Sequence, residues 1–171
     1  MGRKCSPGVD CGWAKVGLLQ LTNRSQEKER VITSGPRVQC QVLHFGSMKL
    51  VWINSYLPCD PQHDFDDTEL LGCLAEVERI VSSHSDCEVV WSGDLNWSMD
   101  RDNQFTRTMS STVDRVNLVP LWKQHEVDFT HIHTDNMSTS TIDHFILSPG
   151  LLALVEGCGP VHWGDNLSRR R

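Results

Sequence analysis

From Arg37 onward the chain alternates hydrophobic and polar residues in short runs whose period changes twice. RVQCQVLHF (37–45) puts Val38, Cys40 and Val42 at every second position, the spacing that lays one face of a strand against a core. Gly46-Ser47 follows, and then KLVWINSYL (49–57), rich in β-branched and aromatic residues and closed by Pro58. Two such runs joined by a two-residue turn predict an antiparallel hairpin. The period then lengthens. Leu70, Leu74, Val77 and Val81 fall at i, i+4, i+7 and i+11, one apolar stripe of an amphipathic helix packed on a core. Asp66-Asp67-Thr68-Glu69 ahead of it predicts an acidic start close to a capping box. CEVVWSG (87–93) returns to strand-like composition, so the order is strand, helix, strand, which packs helices against a sheet.

Further along, 103–117 reads as a second, polar helix. Val127 to His133 and STIDHFILS (140–148) are short apolar runs, the second a strand, and Pro149-Gly150 opens a brief helical turn. Before Arg37 the pattern is thin. Val16 to Leu21 has the composition of a strand, and TNRSQEKER (22–30) reads as a polar, charged connector. Residues 1–29 therefore form a poorly defined segment, 30–168 one domain, and 169–171 a basic tail. The fold class expected is α/β.

Composition narrows the function. Hydrophobic residues are 39% and charged residues 22% of the 171, an ordinary globular balance. No apolar run approaches the ~20 residues of a membrane span, and MGRKCSPGVDCG lacks the apolar stretch of a secretory signal. Met1, Gly2 and Ser6 fit only a short, degenerate acylation pattern. The seven cysteines contain no C-x-x-C pair and read as reduced thiols in a nuclear or cytoplasmic protein, with no disulfide-linked partner and no membrane attachment. A net charge of −6 argues against holding nucleic acid by charge alone, but not against gripping a phosphate through a divalent cation.

The candidate chemistry gathers at strand ends. Asp94 and Asn96 in GDLN stand two residues apart at the exit of 87–93, where alternation would send both to one face. The plain alternative is a strand-to-turn exit, since Asp and Asn are common turn formers. Tyr56 in SYLP and Asp143 in STIDHF occupy comparable positions, and Asp165 in WGDNLS is a fifth candidate. Carboxylate and amide oxygens are what a hard cation such as Mg²⁺ prefers.

Taken in order, INSYLPCD, GDLN, LVPLW, DFTH, TSTIDHFILSPGLL and GDNLS resemble the endonuclease/exonuclease/phosphatase superfamily, and within it the endonuclease domain of LINE-type, non-LTR retrotransposons. The resemblance covers roughly residues 30–168. It implies a two-sheet α/β sandwich, here a partial one, that cleaves DNA phosphodiesters with Mg²⁺ or Mn²⁺. By the same resemblance Asp94 orients and deprotonates the attacking water and Asn96 helps hold the phosphate. Tyr56 donates a hydrogen bond to that phosphate, Asp143 fixes the tautomer of a catalytic histidine, and Asp165 is a metal-ligand candidate.

The departures matter as much. The family places a metal-contacting Asn and a metal-binding Glu upstream of the strands matched here, where this chain offers Glu27 and Glu29 in a charged connector. With Ser168 as the serine of the family's closing S-D-H signature, Arg169 stands for the acid and Arg170 for the histidine. Arginine cannot shuttle a proton at neutral pH. The expectation is a truncated, catalytically impaired nuclease domain, with a non-catalytic binding module or a remnant without function as the alternative. His131-Ile-His133 could seed a zinc site, though surface or core histidines are the simpler account. His144, next to Asp143 on a strand, should face away from it. The six tryptophans are most simply core and sheet-face residues.

Overall fold

The computed structural model describes residues 28–33, 35–59, 67–98, 101–125, 129–132 and 138–158. The predicted hairpin is present as β2 (Val38–Phe45) and β3 (Met48–Tyr56), antiparallel from Phe45↔Met48 to Val38↔Ser55. Gly46 takes a positive φ of 61° in the turn between them, a conformation glycine adopts without steric cost. Helix α1 (Thr68–Ser83) then crosses to β4 (Glu88–Asp94), which pairs parallel to β3. Strand β8 (Asp143–Leu147) lies antiparallel on the far side of β4.

The six-stranded sheet runs β1-β2-β3-β4-β8-β5, where β1 is Lys28–Thr33 and β5 is Val119–Pro120. A two-stranded ladder, β6 (His131–Ile132) with β7 (Thr139–Ser140), stands apart from it. The chain is therefore of the α/β class, with one large mixed sheet and helices among the described residues.

One face of the sheet carries the core. Cys40, Val51, Ile53, Val89, Trp91 and Ile146 are buried there with Leu70, Leu74, Val77 and Ile80 of α1. The same cluster takes in Phe105, Met109 and Val113 of α2 (Gln104–Arg115). The polar helix expected over 103–117 is thus present. Its few apolar residues fall on one side, which a polar composition conceals but a 3.6-residue period does not. Asn103 caps it, its side chain accepting from Thr106 N–H at 2.8 Å. Asn103→Ala should cost about 1 kcal/mol, read as a lower urea midpoint at unchanged slope.

Some sequence expectations need correction. The stretch read as a connector contains the start of β1, which begins at Lys28 and bonds antiparallel to β2 with a register irregularity between Lys28 and Arg30. Among the described residues β1 is an edge strand, held by a backbone ladder to one neighbour, and such a strand tolerates a charged sequence. Asp67 makes no side-chain cap bond, and Glu69 turns instead to Arg37. The α1 stripe is completed by Cys73 and Ile80, while Val81 is only half buried. Trp91 and Trp97 are buried, whereas Trp52 and Trp122 are only partly buried. The readings at 16–21, at Asp165 and at the 169–171 tail lie outside the described residues.

The other face is graded. Alternation puts Leu50, Trp52, Val90, Phe145 and Leu147 on it, and these line an apolar groove of about 430 Å³ with residues at and after α3 (Pro149–Leu152). Toward the ends of β3 and β4 the same face turns polar, through Asn54 and Ser92 to Tyr56 and Asp94.

Candidate active site

Strand register builds the site. Tyr56 is the partner of Asp94 across the parallel β3–β4 pair, and Asp94 is the partner of Asp143 across the antiparallel β4–β8 pair. Directly paired residues project to the same side with Cβ atoms about 5 Å apart, so three of the sequence candidates form one row across three neighbouring strands. Tyr56 is 38% exposed, Asp143 is exposed and Asp94 half buried.

Asn96 departs from its expected place. β4 ends at Asp94, and Asn96 takes a left-handed φ of 50°, so strand alternation no longer governs where its side chain points. Its N–H donates to Asp94 Oδ1 at 3.2 Å and its Nδ2 to the Leu57 carbonyl at 2.8 Å. The residue thus braces the Asp94 carboxylate and ties together the exits of β3 and β4. The turn reading and the site reading of GDLN meet here, because an Asp–Asn turn positions the acid.

Gly93 sets the approach of the two strands. Its φ is 132° and a Cβ placed on it would stand 1.9 Å from the Ser55 carbonyl oxygen. No side chain fits where the backbones come this close. Behind the row, Trp91 Nε1 donates to Ser55 Oγ at 2.7 Å, locking a buried hydroxyl that alternation hides from the site face.

Burial pushes the Asp94 carboxyl above its usual range and the charge of Asp143 adds to this, while the Asn96 N–H and His131 pull it partly back. Two carboxylates side by side repel when both are ionised, a repulsion that a cation between them would relieve. The donors present are hard oxygens of the type Mg²⁺ and Mn²⁺ take, and such ions use few protein carboxylates and complete their shell with water and substrate. Among the described residues no three His, Cys, Asp or Glu side chains converge closely enough to hold an ion by themselves. Glu29 belongs to β1, where its neighbours Lys28 and Arg30 pair with Leu43 and Val42. That is the Leu43–Leu50–Glu88 end of the sheet, so it stands about 20 Å along the strands from the row.

Two residues outside the row join the site. Thr130 Oγ1 accepts the N–H groups of Ile142 and Asp143 at 3.0 and 3.1 Å, fixing the start of β8. His131 comes within electrostatic range of Asp94. DFTH marked the segment, but only the fold shows what it touches. His144 faces the core, as alternation from Asp143 requires. It is 4% exposed, its Nε2 lies 2.5 Å from the Trp97 carbonyl, and burial holds it below its usual range.

The mixed sheet backed by helices has the fold of the endonuclease/exonuclease/phosphatase proteins. In particular the chain is similar to the endonuclease domain of TRAS1, a telomere-specific non-LTR retrotransposon, with a TM-score of 0.59 at 14% identity over 79% of this chain. It also superimposes on truncated Caenorhabditis elegans TDP2, with a TM-score of 0.50 at 19% identity over 73% of this chain. The AP endonuclease LMAP of Leishmania major gives 0.50 at 16% identity over 69%. The chain spans 59% of the TRAS1 domain, 54% of the TDP2 chain and 47% of LMAP. No family model and no curated protein matches the sequence.

Proposed function

We propose that this chain is a retrotransposon-type endonuclease domain of the metal-dependent phosphodiesterase class, binding a DNA phosphodiester at the Tyr56–Asp94–Asp143 row and hydrolysing it slowly. The row itself carries the reading. Asp94, half buried and raised in pKa, is suited to orient a water and take its proton. Asp143 offers a second oxygen beside it for Mg²⁺ or Mn²⁺, which would supply Lewis-acid stabilisation of the phosphate charge. Tyr56, on the exposed flank, is placed to donate its phenol proton to a phosphate oxygen, and Asn96 holds Asp94 in position. Asp165 remains a further ligand candidate.

Slow hydrolysis follows from Arg170 standing where the resemblance puts a histidine. Loss of such a proton-transferring group costs roughly 10²–10⁴-fold. The same substitution favours a second reading, a non-catalytic DNA-binding module.

Mg²⁺-dependent retention of duplex DNA by the wild type, lost in Asp94→Ala, is expected in a gel-shift assay. Nicking of supercoiled plasmid should stay near that variant's level. Robust Mg²⁺-dependent nicking that Asp94→Ala abolishes would overturn slow hydrolysis. DNA binding indifferent to both Mg²⁺ and Asp94 would overturn the site.

A further inference from the structure

We propose that Arg37 is a positioning residue for Tyr56, held in its working orientation by Glu69 of α1; this rests on reading the row as a phosphodiester site. The contacts converge on one side chain. The Arg37 carbonyl accepts the Tyr56 N–H at 2.9 Å, and Arg37 Nη1 donates to the Tyr56 carbonyl at 3.3 Å. The guanidinium carbon lies 5.4 Å from the Tyr56 ring centroid. The other edge of the guanidinium meets the Glu69 carboxylate through Nε at 2.5 Å and Nη2 at 3.3 Å.

Each contact removes a specific freedom. A tyrosine at the exposed end of a strand can turn about two side-chain torsions, and a cation over its face restricts both. A guanidinium could itself swing away, but a two-point fork onto a carboxylate fixes its plane. The Arg37 side chain is 18% exposed although its partner Glu69 is 58% exposed. Ion pairs with an exposed member contribute little to stability, so folding alone gives little reason for the arrangement. What the geometry does supply is a fixed phenol beside Asp94, its ring under a cation that Glu69 holds in place. Lysine could supply the charge, but not the fork.

The chain contains one tyrosine, so 3-fluorotyrosine incorporation gives a single ¹⁹F resonance that reports on Tyr56 alone. A short DNA duplex with Mg²⁺ is titrated into the wild type, Arg37→Ala, Arg37→Lys, Glu69→Gln and Asp94→Asn, and thermal midpoints are recorded alongside. The wild-type resonance should move to a new bound position. Arg37→Ala should bind about tenfold more weakly, with a resonance already displaced before DNA is added. Glu69→Gln should displace the free resonance the same way and weaken binding less, and Arg37→Lys should fall between wild type and Arg37→Ala. Thermal midpoints should change little. Wild-type binding and an unmoved free resonance in Arg37→Ala would overturn the proposal. If only Arg37→Ala weakens binding and Glu69→Gln behaves as wild type, Arg37 is a direct phosphate contact and the positioning role is overturned. Should Arg37→Ala fail to fold, Glu69→Gln decides alone through its free resonance. DNA binding equal in wild type and Asp94→Asn would sink the phosphodiester reading, and this proposal with it.

Discussion

Gly93→Ala should destabilise the chain by about 3–5 kcal/mol, among the largest effects of a single methyl anywhere in the fold. The added Cβ would meet the Ser55 carbonyl oxygen at 1.9 Å, an atom of the β3 backbone that no rotamer change can move, and φ at 132° is strained for any L side chain. Relief requires β3 and β4 to separate where Tyr56 and Asp94 are paired. Gly72 is the control. It lies in α1 with nothing within 4 Å of an added methyl, so Gly72→Ala should gain about 0.5–1 kcal/mol from helix propensity. Urea unfolding of the two variants beside the wild type checks both signs. A Gly93→Ala protein as stable as the wild type would mean that the strands do not approach this closely.

Asp94→Asn is expected to separate stability from metal response. The carboxyl is raised by burial first and by Asp143 second, so it binds its proton more tightly folded than unfolded. Stability from this group is therefore present below the ordinary carboxylate value and is lost as pH rises through the folded value. At pH 7 the ionised carboxylate opposes folding, and Asp94→Asn, which cannot ionise, should melt above the wild type. That advantage should vanish below about pH 3.8, the ordinary value for the group. Mg²⁺ should act in the opposite direction. An ion bound only by the folded chain stabilises it by about 2.7 kcal/mol at a hundredfold excess over Kd, about 5–10 °C for a domain of this size. The shift should appear in the wild type, disappear with chelator, and be absent from Asp94→Asn. Equal Mg²⁺ shifts in both proteins would place the ion elsewhere.

Four of the site candidates were legible because they are punctuation. Tyr56 stands just before the Leu57-Pro58 exit of an alternating run, Asp94 and Asn96 follow a glycine at the end of another, and Asp143 precedes HFIL. Such positions are visible wherever period-two alternation stops. Asn96 marks the limit of such positions, since β4 ends at Asp94 and alternation does not govern a residue two places further on with φ of 50°. Arg37 and Glu69 were invisible as a pair because nothing local links a residue before β2 to the first turn of α1. Thr130 was visible only inside a quoted motif, because its role lies in the two N–H groups it accepts at β8.

The sequence by itself determined what nearest neighbours along the chain can decide. The β2–β3 hairpin follows from a two-residue turn, α1 from a 3.6-residue apolar period, and the β3–α1–β4 crossover from their order. Each rests on torsional preference and on burying one side of one element. Only the tertiary structure decided the lateral order β3-β4-β8, which brings Asp143 beside Asp94 from far along the chain. It also recruited the charged edge strand β1, brought the β3 backbone against Gly93, and set Arg37 over Tyr56. The physical reason is that backbone ladders between distant strands fix register through hydrogen bonds every residue can make. The side chains that meet across them carry no signal of one another until the ladder has formed.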